Sequence, residues 1–437
     1  MDKPAPPRAL SKGRRAAGQP GSQSVVPRIL LLMDTESYRA GDFLRAAQRL
    51  GLSVLAGTNQ PHVTEALAPE RTLAVDYADE EASLAAIAAA HARSPFSAIV
   101  ALDDTGTALA ARASTALKLP SNPQESVRSA SNKLVFREIM QAAGLPGPTF
   151  RAASVDDDPA RLAREVVFPC VLKPVFLNAS RGVIRADDVP GFVRAFTRIK
   201  ALLDDPGLRA KGGDAAGRVL IESYLPGVEV ALEGSIADGE LRVLAVLDKP
   251  DPLEGPYFEE TLFITPSRHG QAVQRELARQ GQAAVDALGL RQGPVHAEFR
   301  VHQGAVTLLE LAPRSIGGNC ARMLQFGAGQ SLEEVILRQA VGHAEPPPPR
   351  ERRAAGVMMI PIPAGGILRD HAGSARAAAV AGIEGVEISI PVGQPVVPLP
   401  EGRRYLGFIY AKGPTPAFVE QALRKAHACL SFDIRPE

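Results

Sequence analysis

The segment from Val295 to Gly318, VHAEFRVHQGAVTLLELAPRSIGG, constrains the fold of this 437-residue chain more than any other. It reads as two strands joined at Gln303-Gly304, each carrying one acid, Glu298 on the first and Glu310 on the second. A two-residue turn sets Glu298 opposite Leu309 and sends the two carboxylates to opposite faces. A three-residue loop with Gly304 left-handed instead sets Glu298 opposite Glu310, Phe299 opposite Leu309 and Ala297 opposite Leu311. That second register makes one face apolar and the other acidic, as a core sheet beside a site requires. Carboxylates facing each other across a ladder repel unless a cation lies between them, and Mg²⁺ takes oxygen ligands of this kind. The competing reading is a surface hairpin with two solvated acids, the ordinary state of Glu.

Length allows two or three domains, and the apolar and charged fractions are those of an ordinary globular protein. A net charge of +1 gives no electrostatic reason to bind nucleic acid or a membrane, and no apolar run reaches bilayer length. Cys170, Cys320 and Cys429 are scattered with no CxxC spacing, which predicts free thiols in a reducing, cytoplasmic setting and no zinc site. Residues 1–27 are rich in Pro, Gly, Ser and Arg without an apolar h-region, and are expected to be a disordered tail.

From Arg28 onward, ILLLM, LSVLAG and SAIVAL alternate with helical patterns, which predicts a small α/β domain with a mostly parallel sheet over residues 28–121. Its first strand-to-helix turn, MDTESYRAGD, lacks GxGxxG, which argues against a dinucleotide site. Asn122-Pro123 opens the next unit. There SNKLVFREIMQAAG predicts a helix with Lys133 at its start, a position unfavourable to the helix dipole but tolerable for a lysine reaching a phosphate. In FPCVLKPV, Lys173 interrupts an apolar strand and is expected to reach an anion, because lysine is almost never buried alone. The following loop offers Ser180, Arg181 and Gly182 as cover for phosphates. Further on, Glu222 and Glu229 flank a bend at Pro226-Gly227, and Asp238-Gly239 marks a hairpin. The Pro- and Gly-containing loop from Lys249 to Glu260 has the composition of a mobile lid. After Arg314, Gly317-Gly318 is expected to lead into a helix around CARMLQF, with its backbone N–H groups facing the hairpin's end. PPPPR at 346–350 reads as a stiff linker to a compact α+β domain over 351–437 that packs against the middle one.

In this order the motifs resemble those of the ATP-grasp superfamily, and more narrowly its carboxylate–amine ligases of the L-amino acid ligase type. The resemblance runs from about Arg28 to the C-terminus. It implies an α/β chain, α+β in its last part. An N-terminal Rossmann-like domain precedes a two-lobed ATP-binding domain over 122–345, whose lid lobe spans about 149–221, and a small C-terminal domain follows. It also implies that Lys133 and Lys173 bind phosphates, that Glu222, Ser223, Tyr224 and Leu225 form the hinge that binds adenine, and that Glu229 binds the ribose hydroxyls. Glu298 and Glu310 match the acids that hold Mg²⁺ (or Mn²⁺), Arg314 with Gly317-Gly318 matches an Arg-x-x-Gly-Gly end, and His296 falls where relatives place a histidine near substrate. Two departures stand out. Ala312 occupies the position where many relatives carry an Asn metal ligand, and the phosphate-covering loop is poor in glycine, so Arg181 is expected to share its work.

The activity so implied joins a carboxylate and an amine, the latter of an amino acid, through an acyl-phosphate made from ATP. Arg314 would hold the substrate carboxylate or the transferring phosphoryl group, and the N–H groups of Gly317-Gly318 an oxyanion. The partners expected are ATP and small-molecule carboxylate and amine substrates, with no nucleic acid, no membrane and a possible homodimer. Two alternatives stay open. One is a biotin-carboxylase-like enzyme activating bicarbonate, and the other an ATP-binding regulator without chemistry, which the Ala312 departure favours.

Overall fold

The computed structural model describes residues 26–35, 37–59, 71–343 and 345–436. All but the last two residues of the predicted tail, 1–27, lie outside that set. The run RILLLM forms β1 (Arg28–Met33), parallel to β2 (Ser53–Thr58) on one side and β4 (Ala98–Ala101) on the other; β3 (Thr72–Ala74) pairs with β2. Ile29 and Leu31 pack into one core and Leu30 and Leu32 into another, so both faces of β1 are covered and its sequence is apolar from Ile29 to Met33.

A second sheet is antiparallel. It contains β5 (Phe150–Ser154), β6 (Cys170–Pro174), β7 (Ile184–Ala186) and β8 (Arg218–Ser223) in the order β5-β8-β6-β7. Phe192, Phe196, Ile199 and Leu203 of the helix Val189–Leu203 close its core.

The third sheet carries the acids. It begins with β9 (Val228–Ala237), β10 (Glu240–Lys249), β11 (Leu262–Thr265), β12 (Gln292–His302) and β13 (Ala305–Ala312). Its order is β13-β12-β9-β10-β11, followed by three strands from the C-terminal region, Ala354–Ile360, Gly407–Gly413 and Ile383–Ile388. The C-terminal segment packs on the middle one as expected, sharing a core with Leu262 and Ile264 of β11, and its strands also extend the same sheet edge to edge, with Phe263 of β11 paired to Val357. Period-2 alternation sorts β12 cleanly. Val295, Ala297, Phe299 and Val301 join a core with the helix Gln271–Leu288, and His296, Glu298 and Arg300 are left on the opposite face.

Glu298 does pair with Glu310 and Ala297 with Leu311, but the route to that register differs from the expected three-residue loop. His302 pairs with Ala305, so the turn has two residues, Gln303 and Gly304, both with positive φ (51° and 83°), as a type I′ turn requires. Phe299 then pairs with Leu308, not Leu309, and the register shifts between Glu298 and Phe299. Leu309 is the extra residue of a β-bulge, and the bulge turns Glu310 onto the face of Glu298. Among the described residues no helix is long and apolar enough to cross a membrane.

Candidate functional site

A cavity of about 590 Å³ lies where the three sheets meet, within the size range of small-molecule sites. It is lined by Lys133, Lys173, Ser180, the run Glu222 to Leu225, Glu229, His296, Glu298, Glu310, Arg314, Gly317 and Gly318. Segments far apart in sequence thus converge on one space. Arg181 and Gly182 do not line it.

Lys133 starts the helix Lys133–Ala142, capped by the Asn132 side chain. Its Nζ donates to the Leu177 carbonyl at 2.6 Å and lies 3.4 Å from Glu310 Oε2. Lys173 does reach an anion, and it is the protein's own: Nζ lies 2.6 Å from Glu222 Oε2. The other oxygen of Glu222 takes Arg137 Nε at 2.5 Å, so one buried carboxylate serves two buried cations. Burial alone would push the Glu222 carboxyl up; Arg137 and Lys173 overcome that and hold it at about 2. In the hinge, the Ser223 and Tyr224 N–H groups donate to the carbonyls of Thr149 and Pro169, and the Tyr224 ring carries the Arg185 guanidinium 4.2 Å from its centroid.

The face of β12 toward the cavity is a row of paired charges. Glu233, which the sequence reading overlooked, sits opposite His296 on β9 and is wholly buried. Its Oε2 lies 3.3 Å from His296 Nδ1 and accepts the Ile316 N–H at 3.0 Å. His296 Nε2 in turn lies 3.3 Å from Glu298 Oε1. Burial opposes the imidazolium, yet the two carboxylates outweigh it and raise the His296 pKa to about 9. Glu229 is held by Arg300 Nη2 at 2.8 Å and by Lys249 Nζ at 3.2 Å.

Lys249 was expected at the start of a mobile lid. It is instead the last residue of β10, with its ammonium inside the site between Glu229, Glu260 and Glu298, the last at 2.6 Å. The side chain is 2% exposed. Burial and the neighbouring Glu298 and Glu229 carboxylates push Glu260 up to about 8, although Lys249 acts against them. Because Glu260 is bound to Lys249, and Thr261 to Asp251, the loop between them is pinned at both ends. The signal for Lys249 was the one already used for Lys173, a lysine ending an apolar strand, VLAVLDK.

Arg314 was assigned to a substrate anion. Its Nε lies 2.6 Å from Asp104 Oδ1, at the start of the helix Asp104–Ala116. Asp104 Oδ2 accepts from Asn178 Nδ2 at 2.6 Å, so this aspartate joins the arginine to the loop that precedes Ser180. Asp103 and Asp104 follow β4, and the carboxyl end of a parallel strand is where open α/β sheets place ligands. The expected helix after Gly317-Gly318 is only a 3₁₀ turn, Cys320–Met323. It is too short to present an array of free N–H groups, and the Gly318 N–H is already given to Tyr38 Oη at 2.7 Å.

Arg181 and Gly182 turn away from the cavity. Arg181 Nε donates to the Glu401 carbonyl at 2.8 Å, and the Gly182 N–H to the Pro400 carbonyl at 2.8 Å. Gly182 has φ +72°, and a Cβ there would lie 2.8 Å from the Pro174 ring, so that close packing requires glycine. The share of phosphate binding expected of Arg181 is therefore corrected: its side chain ties the loop to the C-terminal region.

Comparison with known proteins matches three stretches of the chain to described families. The family described as ATP-grasp N-terminal domain matches residues 44–121, ATP-grasp domain matches 166–323, and L-amino acid ligase C-terminal domain 2 matches 358–435. The crystal structure of L-amino acid ligase from Bacillus licheniformis superposes with a TM-score of 0.79 at 25% identity, covering 93% of this chain and 98% of that one. Carboxyaminoimidazole ribonucleotide synthase from Aspergillus clavatus, solved with ATP, shares the fold at 16% identity and a TM-score of 0.70, over 92% and 98% of the two chains. An uncharacterized protein of Sinorhizobium fredii, y4rH, is 23% identical over 93% of this chain and 83% of its own length. Alanine–anticapsin ligase of Bacillus subtilis is 24% identical over 49% of this chain, and the match spans 47% of that ligase.

Proposed function

We propose that this chain, an ATP-grasp protein carrying the C-terminal domain of L-amino acid ligases, is an ATP-dependent carboxylate–amine ligase. The observation that carries the proposal is the facing of Glu298 and Glu310 across one ladder, in one cavity with Lys133, Lys173 and Arg314. Joining a carboxylate to a triphosphate means bringing anions together, and this cavity supplies cations from three directions. The carboxylate oxygen of the first substrate attacks the γ-phosphorus of ATP, the bond from that phosphorus to the ADP oxygen breaks, and an acyl-phosphate and ADP result. The amine nitrogen then attacks the acyl carbon and loses a proton, and the carbon–oxygen bond to phosphate breaks.

A divalent metal fits the donor set. Glu298 and Glu310 offer hard oxygens on the same face, Glu298 beside Lys249 and Glu310 beside Lys133. Bound there, Mg²⁺ would neutralise phosphate charge during transfer. Lys133 and Lys173 act as point charges toward the phosphates, and the Glu222–Leu225 hinge and Glu229 border the space for the nucleoside. Arg314, placed by Asp104 through Nε, offers Nη2 to the incoming anion, and Gly317 lies beside it. The three free cysteines, two of them buried, suit a cytoplasmic enzyme, and the proposed assembly is a homodimer, checked by sedimentation.

Release of ADP and phosphate with pooled amino acids tests the reading. Amino-acid-dependent release that disappears in Glu310→Ala supports it. Tight ATP binding with no release under any substrate would establish the regulator instead, and bicarbonate-dependent release the carboxylase.

A further inference from the structure

The C-terminal strands bring a second set of groups into the cavity that the ligase reading leaves without a task. Ser389, Arg404, Tyr405 and Phe408 line it there, with Met359 from the neighbouring strand and Tyr38 from the N-terminal domain. The wall is aromatic and continuous: the Phe408 ring lies 5.9 Å from Tyr38 and 6.3 Å from Tyr405, centroid to centroid. It stands directly beside the Arg314–Gly318 loop, because Tyr38 Oη holds the Gly318 N–H and a Cβ on Gly318 would meet the Met359 sulfur at 2.2 Å.

Two polar groups in this corner are unspent. Arg300, Arg314, Lys133 and Lys173 each hold a carboxylate, whereas the Arg404 guanidinium has no hydrogen bond or ion pair among the described residues. Among the described residues the Ser389 hydroxyl is buried without a partner, on the residue whose N–H meets the Leu406 carbonyl, two positions from Arg404. An unsatisfied buried hydroxyl costs stability unless a ligand supplies its bond.

Resting on the ligase reading, we propose that Arg404 and Ser389 are the carboxylate anchor of the amine-bearing substrate, which is an α-amino acid with an apolar side chain packed on Tyr38, Met359 and Phe408. The chemistry requires two distinct anion sites. The carboxylate that ATP activates loses its charge when the amide forms, so the cations around Arg314 serve it only until then. The carboxylate of the amine-bearing substrate survives into the product, and it needs a cation outside the transfer site. Arg404 provides that cation in a fork that matches a carboxylate.

The test uses L-leucine, L-methionine and L-phenylalanine against their carboxamides, each as the amine partner of a fixed pool of L-amino acids. A carboxamide keeps the amine but removes the anion, and it has no carboxylate to activate. Wild-type protein should show a KM for the acids about tenfold to a hundredfold below that for the amides, the range of one charge-assisted bond. Arg404→Ala should raise the acid KM to the amide level, leaving the amide KM and the ATP KM unchanged. Arg404→Lys should recover part of the difference, and Ser389→Ala should lose part of it. An active Arg404→Ala that still prefers acids to amides overturns the anchor, and a wild type that turns over L-serine and L-glutamine, assayed beside them, but none of the three apolar acids overturns the apolar wall. Failure of every pair to release ADP counts against the ligase reading instead. Calorimetric binding of the same three acids to wild type and Arg404→Ala then decides the anchor separately: equal affinity, or no binding to either, overturns it.

Discussion

Arg314 Nε sits 2.6 Å from Asp104 Oδ1, a contact between residues 210 positions apart that joins the N-terminal domain to the edge of the acid-bearing sheet. The guanidinium is buried, which would disfavour its charge, and Asp104 more than compensates, raising its pKa. Since Asp104 also holds Asn178, one carboxylate sets the place of the arginine and of the loop before Ser180. Asp104→Ala should lower kcat by about a hundredfold, the cost of a misplacement near 1 Å. Steady-state ADP release checks this; an unchanged kcat would show that Arg314 keeps its position without Asp104.

Glu233→Ala removes the partner of both His296 and the Ile316 N–H, whereas Glu233→Gln keeps an oxygen for the amide. The alanine variant should lose about tenfold or more in kcat, as expected for a hydrogen bond to a charged group. The glutamine variant should recover much of it. Equal kcat in the two variants would argue that orientation of the Arg314–Gly318 loop does not depend on this bond.

Lys249 is the cation that makes three neighbouring carboxylates tolerable. Lys249→Met leaves Glu229 to Arg300 and Glu298 to His296, takes the cation from Glu260, and should cost about 3–5 kcal/mol of stability. Added Mg²⁺ should restore part of that loss, and EDTA should abolish the recovery. Urea denaturation with and without metal provides the measurement; a variant as stable as wild type would refute the counter-ion role.

Glu222 predicts acid sensitivity. Its folded pKa, about 2, lies below the ordinary 4.5, so protons bind more readily to the unfolded chain. The stabilisation is fully present above 4.5 and is lost as pH falls toward 2. Glu222→Gln should be less stable at pH 7, because Arg137 and Lys173 lose their anion, and its melting temperature should fall less steeply over that acid window. Parallel slopes for the two proteins would exclude Glu222 as a source of the acid response.

Much of this site was legible because strand periodicity is local. In VHAEFRV the alternating residues divide into core and cavity faces without any reference to the rest of the chain, and Glu298 was found that way. The same alternation in VEVALEG carries Glu233 as well as Glu229, and only the second was noticed. The register was less accessible. Gln303 adopts a positive φ, which is uncommon for a residue with a Cβ, and the bulge at Leu309 is fixed by packing of Leu308 and Leu311 into the core. Asp104 was out of reach for another reason: nothing near it in sequence announces a partner 210 residues away. Arg404 lay in a loop whose only sequence signal was charge, and the edge-to-edge continuation of the sheet is what brings it to the cavity.

The tie between the Arg181–Gly182 loop and the Pro400–Glu401 segment has a mechanical consequence. Arg198 adds two further bonds to the Glu401 carboxylate, at 2.5 and 2.8 Å, so the lobe built on β5 to β8 is moored to the far end of the chain. That lobe therefore cannot swing outward by itself: it must either slip this mooring or pull the last domain with it. Where it pulls that segment, admission of a nucleotide and exposure of the aromatic wall are one event; where it slips, the wall stays covered.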